Sequence, residues 1–182
     1  MTIRAKATIE VDGQIVLKRF SHDADQAKYD AIIRNREHLL PWLPWAHFYK
    51  EFKEMPEFTE SQIKCFDEGT AFGYDIFYEG KFAGSADYIH FSEADKSIEI
   101  GYWLDKDYTG KGIVTRTVAK MVEYAFTELG MHRVVIQAAS KNKASCRVAE
   151  RLDFVHEGTQ RESQYLDGEY YDTEIYSKLV SD

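Results

Sequence analysis

The sequence predicts an α+β domain of three layers (α/β/α), a mixed and mostly antiparallel central sheet of about seven strands with helices on both faces. Three observations carry this. Strand-like alternation dominates the front half, the apolar period becomes helical from Val114, and strand, helix and two further strands then follow in turn. The 182 residues are 44% hydrophobic, 30% charged and 14% aromatic, enough to bury a core and too apolar for a disordered chain. No low-complexity tract, internal repeat or Pro/Gly/Ser linker interrupts them, so residues 1–182 read as one domain.

Residues 14–20 (QIVLKRF) alternate and form the first expected strand. Residues 21–23 can cap a helix running to about residue 36, with Ala24, Ala27, Ile32 and Ile33 turned to the core. In residues 38–45 (HLLPWLPW), Pro41 and Pro44 forbid a long helix and leave short turns with bulky side chains. Thr59 followed by Gln62 matches a capping box opening a helix to about residue 68. Strands are expected over 71–78, 82–91 and 97–104, the first two joined tightly at Glu79-Gly80. In the third, Ile98, Ile100, Tyr102 and Leu104 share one face, and Glu99, Gly101 and Trp103 the other.

Val114, Val118, Met121, Val122, Ala125 and Leu129 then recur at helical spacing until Gly130 stops the helix. Residues 133–138 read as a buried strand, and Asn142 can cap a helix to residue 152. Two strands, 154–165 and 170–179, follow, joined around Asp167-Gly168.

Lys+Arg 23 against Asp+Glu 31 leaves a formal charge of −8. That balance disfavours direct binding to nucleic acid and suits a cationic substrate or partner. No apolar run is long enough to cross a bilayer, and residues 1–13 lack an apolar signal core, so a cytoplasmic protein with no membrane partner is expected. Cys65 and Cys146 stand far apart without a CxxC pair, the pattern of two buried, reduced thiols. The six histidines show no metal-ligand spacing, so no metal is expected.

Residues 99–115 (EIGYWLDKDYTGKGIVT) carry the most chemical information. A strand ends, and Gly110-Lys111-Gly112 leads straight into a helix whose first-turn N–H groups and dipole form an anion site suited to a pyrophosphate. The same glycines could serve merely as a turn. At the next strand–helix junction stands Asn142-Lys143-Ala144-Ser145, readable as a plain helix cap or as a functional pair on the same rim of the sheet.

With these segments in view, the chain resembles the GCN5-related N-acetyltransferases, and within them the Rim-type enzymes that acetylate the N-termini of ribosomal proteins. Four stretches carry the resemblance in order: EHLLPWLPWA, IEIGYWLDKDYTGKGIVT, ELGMHRVVIQAASKNKASCRVAERLDFVHEG and YLDGEYYDTEIYSKL. The family signature Gln/Arg-x-x-Gly-x-Gly/Ala falls on residues 109–114, keeping Gly112 and placing Thr109 and Val114 at the other positions. The resemblance implies the family fold and acetyl-coenzyme A as cosubstrate. Tyr102, Trp103 and Leu104 would line the pantetheine arm where two strands splay apart. Gly110, Lys111, Gly112, Ile113, Val114 and Thr115 would hold the pyrophosphate, with Asn142 near the pantetheine. Lys111, Lys143 and Arg147 are candidates for the 3′-phosphate. Trp42, Trp45 and Tyr165 would wall the acceptor groove, with Gln164 beside Tyr165 as a further substrate residue, though core packing suits Trp45 better. Family habit also implies a homodimer or higher homo-oligomer.

The implied reaction is attack of a neutral amine on a thioester, on a protein N-terminus or, alternatively, a small amine such as a polyamine. An α-amine, with a pKa of about 7.7–8.0, needs little help to deprotonate. By resemblance Ser145 is the acid, and the base is a Glu where this chain has Gln164, which cannot take a proton. Glu99, Glu162 or water remain to replace it, with Glu99 preferred. Gln164 also keeps open a catalytically weak module that only binds the coenzyme.

Overall fold

The chain threads back and forth through one sheet before its helices close over it. The computed structural model describes residues 3–166 and 168–182. In order the elements are β1 (Thr8–Glu10), β2 (Ile15–Arg19), α1 (Asp25–Arg34), α2 (Arg36–Leu39), α3 (Glu54–Glu68), β3 (Phe72–Tyr78), β4 (Lys81–Ser92), β5 (Ser97–Leu104), α4 (Ile113–Thr127), β6 (Arg133–Ala139), α5 (Lys143–Arg151), β7 (Val155–Leu166) and β8 (Glu169–Leu179). The strands lie in the order β1-β2-β3-β4-β5-β6-β8-β7. β5 and β6 run parallel, and the other neighbouring pairs are antiparallel.

The sheet thus has eight strands rather than about seven. The addition is β1, three residues paired to the outer edge of β2. Only Ile9 of β1 is buried, so the segment is too short to show an alternating pattern. The β3–β4 hairpin turns at Glu79-Gly80 as expected, both residues at positive φ (49° and 78°), the geometry whose twist matches a two-residue hairpin. The join between β7 and β8 includes Asp167, which lies outside the described residues.

Two apolar clusters fill the spaces on either side of the sheet. The larger packs Tyr88, Ile98, Ile100, Val134 and Ile136 against Val118, Met121 and Ala125 of α4 and Val148 and Ala149 of α5. The smaller joins Trp103 and Phe82 to Ala31 and Ile32 of α1, Leu39 of α2, Tyr49, and Met55 of α3. The two prolines act as expected, leaving one-turn α2 and a 3₁₀ turn over Pro44–His47.

The segment from residue 21 departs from expectation. A 3₁₀ turn precedes α1, Ser21 makes no side-chain cap, and α1 ends at Arg34. Its core face is mixed: Ile32 is buried as expected, as is Ala24 just before the helix, but Asp25, Lys28 and the capping Asn35 are buried too, whereas Ala27 and Ile33 are exposed. The reason is a set of long-range partners. Lys28 Nζ lies 2.9 Å from Asp75 Oδ1 of β3, both residues about 2% exposed or less, and 3.6 Å from the centre of the Phe20 ring. Thr59 Oγ1 donates to Asp25 Oδ1 at 2.5 Å, and Ser85 Oγ donates to Asp75 at 3.3 Å. Burial pushes Asp75 up to about 6 and nearby Asp87 up to about 7, against the opposing pull of Lys28.

Thr59 is therefore no cap. α3 begins five residues earlier at Glu54, with Pro56 in its first turn, where a missing N–H costs nothing. The Glu54 carboxylate accepts from the N–H groups of Lys50 and Glu51 and closes that end. Both cysteines are free, but only Cys146 is buried; Cys65 is partly exposed.

Candidate active site

The parallel pair at the centre of the sheet is short. β5 and β6 are in register only from Ser97↔Arg133 to Glu99↔Val135, while β5 continues to Leu104 on its pairing with β4, and β6 to Ala139 on its pairing with β8. Beyond Glu99 the two strands part, and the inner edge of β5 carries peptide groups that β6 does not match. Unmatched backbone groups call for an amide-bearing partner, and an extended chain laid between the strands supplies one.

The opening leads toward the glycine turn. After a 3₁₀ turn at Lys106–Tyr108, Gly110 and Gly112 take φ of 77° and 70°, and apart from each glycine and its chain neighbours nothing lies within 4 Å of where a Cβ would stand. Positive φ explains both glycines locally, and the empty space beside them leaves the first turn of α4 approachable. The side chain of Ile113 is buried in the core and those of Val114 and Thr115 are half-buried, so these residues offer this turn mainly backbone. Lys111 Nζ sits over the rings of Tyr78 and Tyr108, at 5.5 and 5.1 Å, beside a cavity of about 390 Å³ that Arg34 and Lys81 also line.

The loop before the turn is clamped to α1. Fully buried Asp105 accepts from the Asp107 N–H and from Arg34 Nε at 2.9 Å, and the Lys106 N–H donates to Asn35 Oδ1. Burial alone would raise the Asp105 carboxyl, but these hydrogen bonds from Asp107, Asn35 and Arg34 hold it below the usual range.

Across the opening stands α5. Asn142 Oδ1 accepts from the Ser145 N–H at 3.2 Å, so the predicted cap is made. The Tyr102 hydroxyl donates to the Ser145 carbonyl at 3.2 Å and lies 3.0 Å from Ser145 Oγ. Tyr102, expected to contribute backbone, thus brings its side chain to the serine. Burial pushes its hydroxyl up to about 12, so it keeps its proton at neutral pH. Glu99 projects from the opposite face of β5, where its Oε2 accepts from Gln137 Nε2 at 2.9 Å and meets His90 Nδ1 at the same distance. Ser145 and Glu99 therefore flank the opening from opposite sides of β5 and do not touch.

The aromatic residues divide. Trp45 packs on Trp103 and Tyr49 within the smaller cluster, so the Trp103 side chain serves the core and only its backbone remains for the opening. Trp42 meets Tyr171 edge to face, ring centres 6.4 Å apart, and Tyr171 pairs with Gln164 across the β7–β8 hairpin. Tyr165 instead stacks on Tyr170, both well exposed. Tyr171 is one residue that sequence reading missed. The register that pairs Leu166 with Glu169 and Tyr165 with Tyr170 places it opposite Gln164. Lys143, Arg147 and Glu162 are exposed.

A glycine turn leading into a helix, beside a parallel pair that splits and hydroxyls at the split, is an arrangement suited to coenzyme A-dependent acyl transfer. Residues 14–155 match the acetyltransferase (GNAT) domain, and the chain belongs to that family of N-acetyltransferases. It is 30% identical over 176 residues to a putative ribosomal N-acetyltransferase, YdaF, of Bacillus subtilis, covering 94% of each chain. It is 25% identical over 173 residues to the ribosomal-protein-serine acetyltransferase of Escherichia coli, covering 95% of this chain and 97% of that one. The solved structure of RimL, a ribosomal L7/L12 alpha-N-protein acetyltransferase in complex with coenzyme A, superposes with a TM-score of 0.92 at 26% identity, covering 95% and 98% of the two chains.

Because the Asp105 clamp sets the loop that leads into Gly110 and Gly112, Asp105→Asn is expected to raise KM for acetyl-coenzyme A about tenfold while changing kcat little. Steady-state kinetics with acetyl-coenzyme A varied at saturating acceptor checks this.

Proposed function

We propose that this protein transfers the acetyl group of acetyl-coenzyme A to the N-terminal amine of a protein, a ribosomal protein being the acceptor class. The observation that carries the reading is the edge of β5 that β6 leaves unpaired beyond Glu99, with Tyr102 of that strand bringing its hydroxyl to Ser145 and the Gly110–Gly112 turn following it in the chain, a path suited to an extended cofactor arm. In that path the glycine turn and first turn of α4 hold the pyrophosphate, and Tyr102, Trp103 and Leu104 offer strand-edge peptide groups to the pantetheine arm. Asn142 fixes the α5 terminus that carries Ser145. The coenzyme supplies an acetyl thioester. The protein's part is to place the amine against it, to take up a proton, and to return one to the leaving sulfur from the Ser145–Tyr102 pair. The acceptor class is supported by the ribosomal-protein acetyltransferases among the relatives. The net charge of −8 suits a cationic amine.

Intact-mass spectrometry of ribosomal proteins incubated with the enzyme and acetyl-coenzyme A tests the reading, run beside a polyamine panel assayed for released thiol. One added acetyl on one N-terminus is the expected result, and Ser145→Ala is expected to slow its appearance about 100-fold without weakening coenzyme binding. Thiol release with polyamines alone would transfer the reading to small amines. Coenzyme binding without turnover on either would leave a binding module.

A further inference from the structure

We propose that His90 is the proton acceptor of the transfer, with Glu99 as the carboxylate that orients it; this rests on the acetyl-transfer reading above. The case begins in the backbone. The β4–β5 register breaks between Ile89 and Ser92, and His90 takes φ of +47°, a left-handed conformation that a side-chain-bearing residue seldom adopts. Ile89 is opposite Glu99 and shares its face of the sheet, so in a regular strand the next residue would point to the other face. The irregularity instead carries His90 to the Glu99 side, its Nδ1 2.9 Å from Glu99 Oε2. Bulges that re-aim one side chain are a recurrent device beside active sites, and strained backbone of this kind collects at functional positions.

The chemistry of the contact assigns the tautomer. An ionised carboxylate can only accept, so in the neutral imidazole Nδ1 carries the hydrogen and Nε2 keeps its lone pair. The His90 side chain is 74% exposed and that of Glu99 is 12% exposed. Gln137 of β6 donates to the same Oε2 at 2.9 Å, so the carboxylate is steadied by both neighbouring strands. One group is fixed and sheltered while its partner is open to an incoming amine, which is the division between an orienting carboxylate and a base. The position agrees. Glu99↔Val135 is the last β5–β6 pair, so the couple stands at the vertex of the opening, on the face opposite Tyr102 and Ser145. It also supplies the proton-accepting function that Gln164 cannot.

The protons and bonds balance as follows. The acceptor ammonium gives one proton to His90 Nε2, directly or through one water. The neutral nitrogen bonds to the acetyl carbonyl carbon as the carbon–sulfur bond breaks. The second proton leaves the nitrogen for the thiolate through the hydroxyl pair, and His90 returns its proton to solvent. The sum is ammonium plus thioester giving amide, thiol and one released proton.

His90→Gly tests the assignment, since glycine accepts the positive φ without strain. Thiol release from acetyl-coenzyme A is followed at pH 7 with a serine-initiated peptide and with spermidine as acceptors. The expected result is a kcat about 100-fold below that of the parent, with KM for acetyl-coenzyme A within about twofold, and recovery of about tenfold on adding imidazole. His90→Asn, whose amide can still donate to Glu99 but cannot accept a proton, is expected to lose as much as the glycine variant. A glycine variant with parental kcat, a loss that imidazole does not repair, or an active asparagine variant would each overturn the assignment while the parent's turnover upholds acetyl transfer. A parent that releases no thiol with either acceptor overturns both.

Discussion

Gly112→Val is expected to weaken acetyl-coenzyme A binding by more than about 100-fold while the variant stays folded. Gly112 caps α4 at φ of 70°, and a β-branched side chain there forces the backbone out of the left-handed region at a cost of about 1–3 kcal/mol. Rotating that peptide re-aims the N–H groups at the head of the helix, and the new side chain enters the open space beside the turn. Both effects act where the pyrophosphate is proposed to sit, and neither removes apolar packing, so the melting temperature should fall by about 2–12 °C, the shift that this cost implies. Calorimetric titration of the variant with acetyl-coenzyme A checks this; unchanged affinity would remove the pyrophosphate from this turn.

Lys28→Ala is the second large effect, and it falls on stability. Removing the ammonium leaves buried Asp75 without its ion-pair partner and half-buried Asp87 without a nearby positive charge, and breaking such a buried pair typically costs about 3–5 kcal/mol. The pH dependence follows from the raised carboxyls. Their native pKa values, about 6 and about 7, lie above the ordinary 3.8. The native state therefore holds protons that the unfolded chain has released. The stability they contribute is fully present below the unfolded value and is lost as pH rises through the native values. Without Lys28 the carboxyls rise further, so the variant is expected to lose more at pH 8 than at pH 5. Urea denaturation of parent and variant at the two pH values measures the difference.

How far the sequence carries can be judged residue by residue. The long back-half elements were legible because their signals are local: Val118 and Met121 mark a helical stripe, Gly130 ends it, and Asn142 makes the cap its position implies. The glycine turn and Ser145 were legible for the same reason. What escaped depends on partners far along the chain. Residues 25–35 look like an ordinary amphipathic helix with Ala27 and Ile33 inward, yet Lys28 turns inward because Asp75 waits on a strand 47 positions later. Thr59 imitates a helix cap, and only the distant Asp25 reveals it as an interior hydroxyl. The His90–Glu99 contact escaped because it depends on a break in strand register, which no alternation of apolar residues records.

The position of β8 between β6 and β7 bears on how the molecule comes to exist. As the chain leaves the ribosome, the glycine turn, β6 and the α5 cap are all made before residues 169–179 emerge. Until they do, β7 has no neighbour and one edge of β6 stands open, two adhesive borders on a nascent protein. A single late insertion seals both and delivers Tyr171 to Trp42. The glycine turn and the α5 cap thus precede in the chain the strand that joins β6 to β7 and brings the aromatic contact beside Gln164, while β1 and β7 remain the outer edges of the sheet.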